Sequence, residues 1–117
     1  MSTKQMINYN DKRFRAIENS PNGEVTGDLI FHYKQEGNRL VCQYFGGKIL
    51  EGWLEGTVDE NGVIEMNYTQ VNAELKQNTG RCTSTPEILP NGKIRLHEDW
   101  QWTSGDQSKG TSILEEI

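Results

Sequence analysis

Short turn-forming clusters recur along this chain, and the residues between them alternate apolar with polar. The clusters are SPNG at Ser20, QEGN at Gln35, FGG at Phe45, ENG at Glu60, PNG at Pro90 and a longer SGDQSKG at Ser104. Glycine, asparagine and proline bounded by alternating residues are the marks of β-hairpins. A further connection near NAEL at Asn72 lacks a sharp signature, yet both its flanks read as strands. This amounts to eight strands joined by seven connections. No window sustains a helical period, and Asn, Thr, Gly, Tyr and Trp dominate the strand interiors, so the chain is read as nearly all β.

Loop length sets hairpin register, and a slip of one residue would invert a strand, so the loops make testable pairings. A four-residue SPNG loop sets Phe14 opposite Leu29 and Ala16 opposite Gly27. A two-residue Glu36-Gly37 loop sets Phe31 opposite Cys42 and Tyr33 opposite Leu40. Three-residue FGG and ENG loops set Cys42 opposite Leu50 and Leu54 opposite Tyr68. A three-residue PNG loop sets Ile88 opposite Ile94, Cys82 opposite Trp100 and Ser84 opposite Glu98.

These pairings collect one continuous apolar face: Phe14, Leu29, Phe31, Tyr33, Leu40, Cys42, Tyr44, Leu50, Leu54, Val58, Ile64, Met66, Tyr68, Cys82, Leu96, Trp100 and Trp102. The last strand, GTSILEEI, adds Ile113 and Ile117. Arg13, Arg15, His32, Lys34, Glu51, Glu55, Glu65, Asn67, Arg95, His97 and Asp99 fall on the other face, with Trp53 and Ile49 as apolar exceptions. Strands this long, joined only by hairpins and with no helix to cover the apolar face, favour an antiparallel up-and-down eight-stranded β-barrel of calycin-like form. A β-sandwich of the same hairpins is the alternative. Gly27, Gly52, Gly56 and Gly80 lie on the inner face, where a missing side chain lets a strand bend or leaves room inside.

A chain of 117 residues suits one domain spanning 1–117, with 1–10 as a flexible or edge-strand lead-in. Lys plus Arg number 12 against 17 for Asp plus Glu, a net charge of −5 with no basic cluster, which argues against nucleic acid as a partner. Apolar runs fall far short of the roughly 20 residues a membrane helix needs, and MSTKQMINYN lacks the apolar centre of a signal peptide. The cytoplasm is therefore the expected location. Cys42 and Cys82 lack the spacing of a zinc site or a disulfide scaffold, and are expected to be reduced, small hydrophobes. No metal and no cofactor is expected.

Two resemblances bear on the fold. The stretch YFGGKILEGWLEGTVDENG resembles a single membrane-occupation-and-recognition-nexus repeat, an architecture that needs several stacked units to bury a core. More of the chain, including NSPNGEV, FHYKQEGN, YFGGKI and CTSTPEILPNGKIRLHEDWQWTSGDQSKGTSILEE, resembles a family of small uncharacterised bacterial proteins, some of which carry the name N-acetylglutamate synthase. That activity goes with a mixed α/β fold and a pyrophosphate-binding loop, which have no counterpart here, so the resemblance implies a shared fold and no activity. The barrel is similar in architecture to lipocalins, although the Gly-x-Trp opening of that family is missing near Phe14.

Candidate chemistry centres on Glu98, an acid that the two-residue period turns inward between Leu96 and Trp100. Desolvation there would favour its neutral form unless a cation or several donors hold it. Ser84 faces it across the strand pair, and Tyr33, Tyr44, Tyr68, Trp100 and Trp102 bring inward donors. The expected site is an aromatic-lined pocket at one barrel end that binds a small molecule, with Glu98, Ser84, Trp100, Trp102, Tyr33, Tyr44 and Tyr68 as its ligand-binding residues. The competing reading is a buried carboxyl satisfied by neighbouring hydroxyls and indoles at the barrel mouth. A glycosidase-like pair would need a second inward carboxylate such as Glu115. No catalytic residue is assigned, because His32 and His97 both point outward. The loop TSGDQSKGTS is a flexible connection or a lid over one end. Trp53 and Ile49 on the outer face suit a different role, a non-catalytic interaction surface or a homodimer contact.

Overall fold

The computed structural model describes residues 7–21 and 29–117. Within them the regular structure is β throughout: β1 Arg13–Asn19, β2 Ile30–His32, β3 Lys34–Glu36, β4 Arg39–Gly46, β5 Ile49–Val58, β6 Ile64–Asn72, β7 Gln77–Ile88, β8 Ile94–Trp102 and β9 Lys109–Glu116. All pairings are antiparallel, in the order β2-β1-β9-β8-β7-β6-β5-β4-β3. The two ends of that order are consecutive in the chain, separated only by Tyr33. β2 and β3 are therefore one passage of chain that pairs first with β1 and then with β4, so the nine strands make eight passages around a nearly closed barrel. At the break, the Tyr33 N–H donates to the Lys12 carbonyl and the Asp11 N–H donates to the Tyr33 carbonyl, both at 2.9 Å. The backbone stays satisfied where the strand changes partner.

Two of the expected registers hold residue for residue. Leu54 faces Tyr68 through the ENG turn, and Ile88–Ile94, Cys82–Trp100 and Ser84–Glu98 pair through the PNG turn. Others shift. Phe14 faces Phe31 rather than Leu29, and the expected Ala16–Gly27 pair lies outside the described residues. Glu36 and Arg39 close the next hairpin, so its loop is Gly37-Asn38. Gln35, rather than Tyr33, faces Leu40, and Phe31 does not pair with Cys42. Gly37 takes φ +60°, which suits the first position of a type II′ turn. These shifts are by an even number of residues, so the inner set survives them.

The FGG hairpin departs further. Its loop is Gly47-Lys48, a bulge lies between Tyr44 and Gly46, and Cys42 faces Leu54 instead of Leu50. The neighbouring ladder is irregular between Ile49 and Glu51. In consequence Ile49 is buried and Leu50 is 54 % exposed, the reverse of the expectation. The last strand is also inverted. Ser112 and Leu114 point inward, Ile117 is exposed, and Ile113 is only partly covered. Glu115 lies on the outer side, where Arg95 donates to its Oε2 from Nε at 3.3 Å and Nη2 at 3.0 Å.

The core fills the barrel, with Tyr9, Phe14, Leu29, Tyr33, Leu40, Ile64 and Leu96 fully buried. Residues 7–12 carry no strand, yet Tyr9 enters the core and its hydroxyl donates to the Gly62 carbonyl. That contact ties the segment before β1 to the β5–β6 turn. Cys42 and Cys82 are free and buried, and burial pushes the Cys42 thiol up to about 12.

Candidate functional site

Glu98 lies at the centre of β8 and faces inward, as the alternation requires. Some of the residue stays exposed, but its carboxyl group is enclosed and held from both sides. The Ser84 hydroxyl on β7 donates to Oε2, and the Ser112 hydroxyl on β9 donates to Oε1 at 3.1 Å. Both serines sit directly opposite Glu98 in their ladders, so strand pairing alone delivers them. Burial drives the Glu98 pKa up, and the hydrogen bonds from Ser84, Ser112 and Cys82 offset part of that rise.

Above this carboxyl is a small cavity of about 60 Å³. Of the residues expected to form a site, Glu98, Tyr33, Tyr44, Tyr68, Trp100 and Trp102 line it together, joined by Phe31, Leu54 and Met66. Ser84 does not line the cavity. It is fully buried behind Glu98 and acts on the site by positioning the carboxyl. Ser112, on the strand whose facing was inverted, lines the cavity and holds the carboxyl as well. Glu115 belongs to no inward pair, since it faces out toward Arg95. Glu116, its neighbour, accepts from the Ile94 N–H at 3.0 Å and pairs with Lys12 at 3.4 Å.

The aromatic wall is close-packed. Trp102 meets Tyr68 at 5.6 Å and Trp100 at 5.7 Å between ring centroids, at 71° and 65°, the edge-on geometry that aromatic quadrupoles favour. Phe31 meets Tyr44 at 4.8 Å. Three glycines make room for these rings: a β-carbon at Gly52 would collide with the Tyr44 ring, one at Gly80 with Tyr68, and one at Gly110 with Trp100. The space expected at the inner glycines Gly52 and Gly80 is thus occupied by an aromatic ring from the neighbouring strand. The Tyr44 hydroxyl donates to Gln70 Oε1 at 2.9 Å.

Tyr33 differs from Tyr44. Its side chain is fully buried, and its hydroxyl has no hydrogen-bond partner among the described residues. Desolvation, with the nearby Glu98 charge, holds its pKa well above the ordinary phenol value, so the group is a neutral hydroxyl. A buried hydroxyl without a partner costs about 1–3 kcal/mol, which a ligand or an ordered water in the cavity would recover.

A larger concavity lies elsewhere. A shallow groove of about 520 Å³ runs over the outer side of β6–β9, among Glu65, Arg81, Asp99, Gln101 and Lys109. Its charges are solvated and of mixed sign, and Arg81 and Glu65 are engaged by Gln101 and Thr83. His97 and His32 are exposed and bonded to Glu87 and Asp11 respectively. The two histidines belong to the outer surface, as their register required.

A family model described as an avidin-like protein matches residues 7–117, the whole of the described barrel. No curated protein and no solved structure matches the chain. With an all-antiparallel, nearly closed barrel of calycin type around an aromatic-lined interior, the chain belongs to the avidin-like family.

Proposed function

We propose that this barrel binds a small polar molecule in its inner cavity, with the Glu98 carboxyl as the polar anchor and Tyr33, Tyr44, Tyr68, Trp100 and Trp102 as the walls. The observation that carries the reading is the unpartnered Tyr33 hydroxyl, buried in the same cavity as an enclosed carboxyl. Ligand pockets are concave, mostly apolar and equipped with a few convergent polar groups, and this one has that composition. Membership of an avidin-like family supports binding over catalysis. Biotin is accordingly the first probe to try. The cavity is far below the roughly 300–1,000 Å³ of pockets that enclose a drug-sized ligand, so a molecule of that size would enter only if the walls part.

The test is intrinsic tryptophan fluorescence during titration with biotin and a panel of polar metabolites, comparing wild type with Glu98→Gln. A saturable response that weakens at least tenfold in the variant is the expected result. A response identical in both proteins would remove Glu98 as the anchor, and silence across the panel would count against binding altogether.

A second reading rests on Trp53, which is 43 % exposed on the outer face beside Lys34 and Val41. A large exposed aromatic of this kind suits self-association. If it is a contact, Trp53→Ala reduces the hydrodynamic size. An unchanged monomer in both proteins rejects it.

A further inference from the structure

We infer that the inner cavity selects a small organic cation with N–H donors, a primary ammonium or guanidinium head group. The inference rests on the binding reading above and adds the charge and chemistry of the ligand. Among the described residues, Glu98 is the one acidic side chain lining the cavity, and no Lys, Arg or His lines it. None of the ion pairs among the described residues reaches Glu98. Its donors, the Ser84 and Ser112 hydroxyls and the Cys82 thiol, are neutral. An enclosed carboxylate with no countercharge is costly, and a cation placed beside it restores the balance.

The walls suit the same charge. Tyr33, Tyr44, Tyr68, Trp100 and Trp102 line a space of about 60 Å³, and electron-rich aromatic faces attract cations once water is excluded. The Tyr33 hydroxyl oxygen, unpartnered, is free to accept an N–H from the bound group while Glu98 accepts another. The volume matches a head group rather than a whole metabolite, so the remainder of the ligand would extend from the cavity.

Cation binding of this kind gains strength as pH rises through the titration of Glu98, because the cation favours the ionised carboxyl. On the outer side Glu98 shares a shallow concavity with Glu18, His97 and Asp99. Inside the barrel, among the described residues, the titratable groups facing it are the phenols of Tyr33 and Tyr68 and the thiol of Cys82. Burial raises all three, so they stay neutral over that range.

The experiment is an NMR titration of the wild-type protein with methylguanidinium and, separately, with N-methylurea, its neutral counterpart of similar shape. The indole N–H resonances of Trp100 and Trp102 report the cavity, and that of Trp53 reports the outer surface. Methylguanidinium is expected to shift Trp100 and Trp102 saturably, at least tenfold more tightly than N-methylurea, and Glu98→Gln is expected to abolish that preference. Equal or tighter binding of N-methylurea would overturn the cation inference and leave the cavity as a binding site. No shift of Trp100 or Trp102 with methylguanidinium also overturns it, while the wider fluorescence titration still decides the binding reading.

Discussion

Glu98 and Tyr33 are the two residues on which the site turns, and they were unequally visible in the sequence. Glu98 stood out because an acid interrupted an apolar phase in a strand whose PNG turn set the register without ambiguity, so its facing and its Ser84 partner could be read directly. Tyr33 was visible as an inward aromatic, but nothing local shows that its hydroxyl would be left without a partner; that depends on where the strands around the barrel bring their side chains. The orphaned hydroxyl makes a prediction with opposite signs on two readouts. Tyr33→Phe should stabilise the ligand-free protein by about 1–3 kcal/mol in denaturant unfolding, while weakening any ligand that bonds to the hydroxyl. Glu98 makes a second prediction through linkage. Its folded pKa is raised above the ordinary 4.5, so the folded protein holds the proton more tightly than the unfolded chain does. The stability this contributes is fully present below pH 4.5 and is lost as pH rises through the folded value. The melting temperature of Glu98→Gln relative to wild type should therefore increase from acid toward neutral pH; a difference that is flat or falling would mean the carboxyl is not desolvated.

At the level of strands, legibility followed turn chemistry. ENG and PNG left one reasonable loop, and the structure agrees with both. The stretch around FGG offered glycines at two adjacent positions, and the chain used the second with a bulge beside it, which turned Ile49 inward and Leu50 outward. β9 departs from the expected facing for another reason. GTSILEEI carries apolar residues in both phases, so apolarity alone does not set its facing; pairing to β8 does, and brings Ser112 opposite Glu98. The same strand supports the cavity wall, since Gly110 lies beneath the Trp100 ring. Gly110→Ala should force that ring from its place, lowering stability by about 1–3 kcal/mol and shifting the Trp100 indole resonance more than that of Trp53. An unaffected Trp100 signal would show that the ring has room to spare.

For the molecule as a whole, the site exists only because the sheet closes. The cavity draws its walls from the Tyr33 junction and from every strand except β3, and only pairing of β1 with β9, distant in sequence, brings them around one interior. The barrel was readable from alternation and hairpin spacing; the single passage interrupted at Tyr33 was not, because a strand that changes partner leaves no break in the two-residue period. The interior volume was not readable either, as it is the small residue left after the glycines have been filled by rings. The central claim is that this remaining space, rather than the larger outer groove, is where a ligand sits. Crystals soaked with small polar fragments test it most directly. Difference density is expected inside the barrel, within hydrogen-bond reach of Glu98 and the Tyr33 hydroxyl. Density confined to the outer groove beside Glu65 and Lys109, with the interior unchanged, would contradict it.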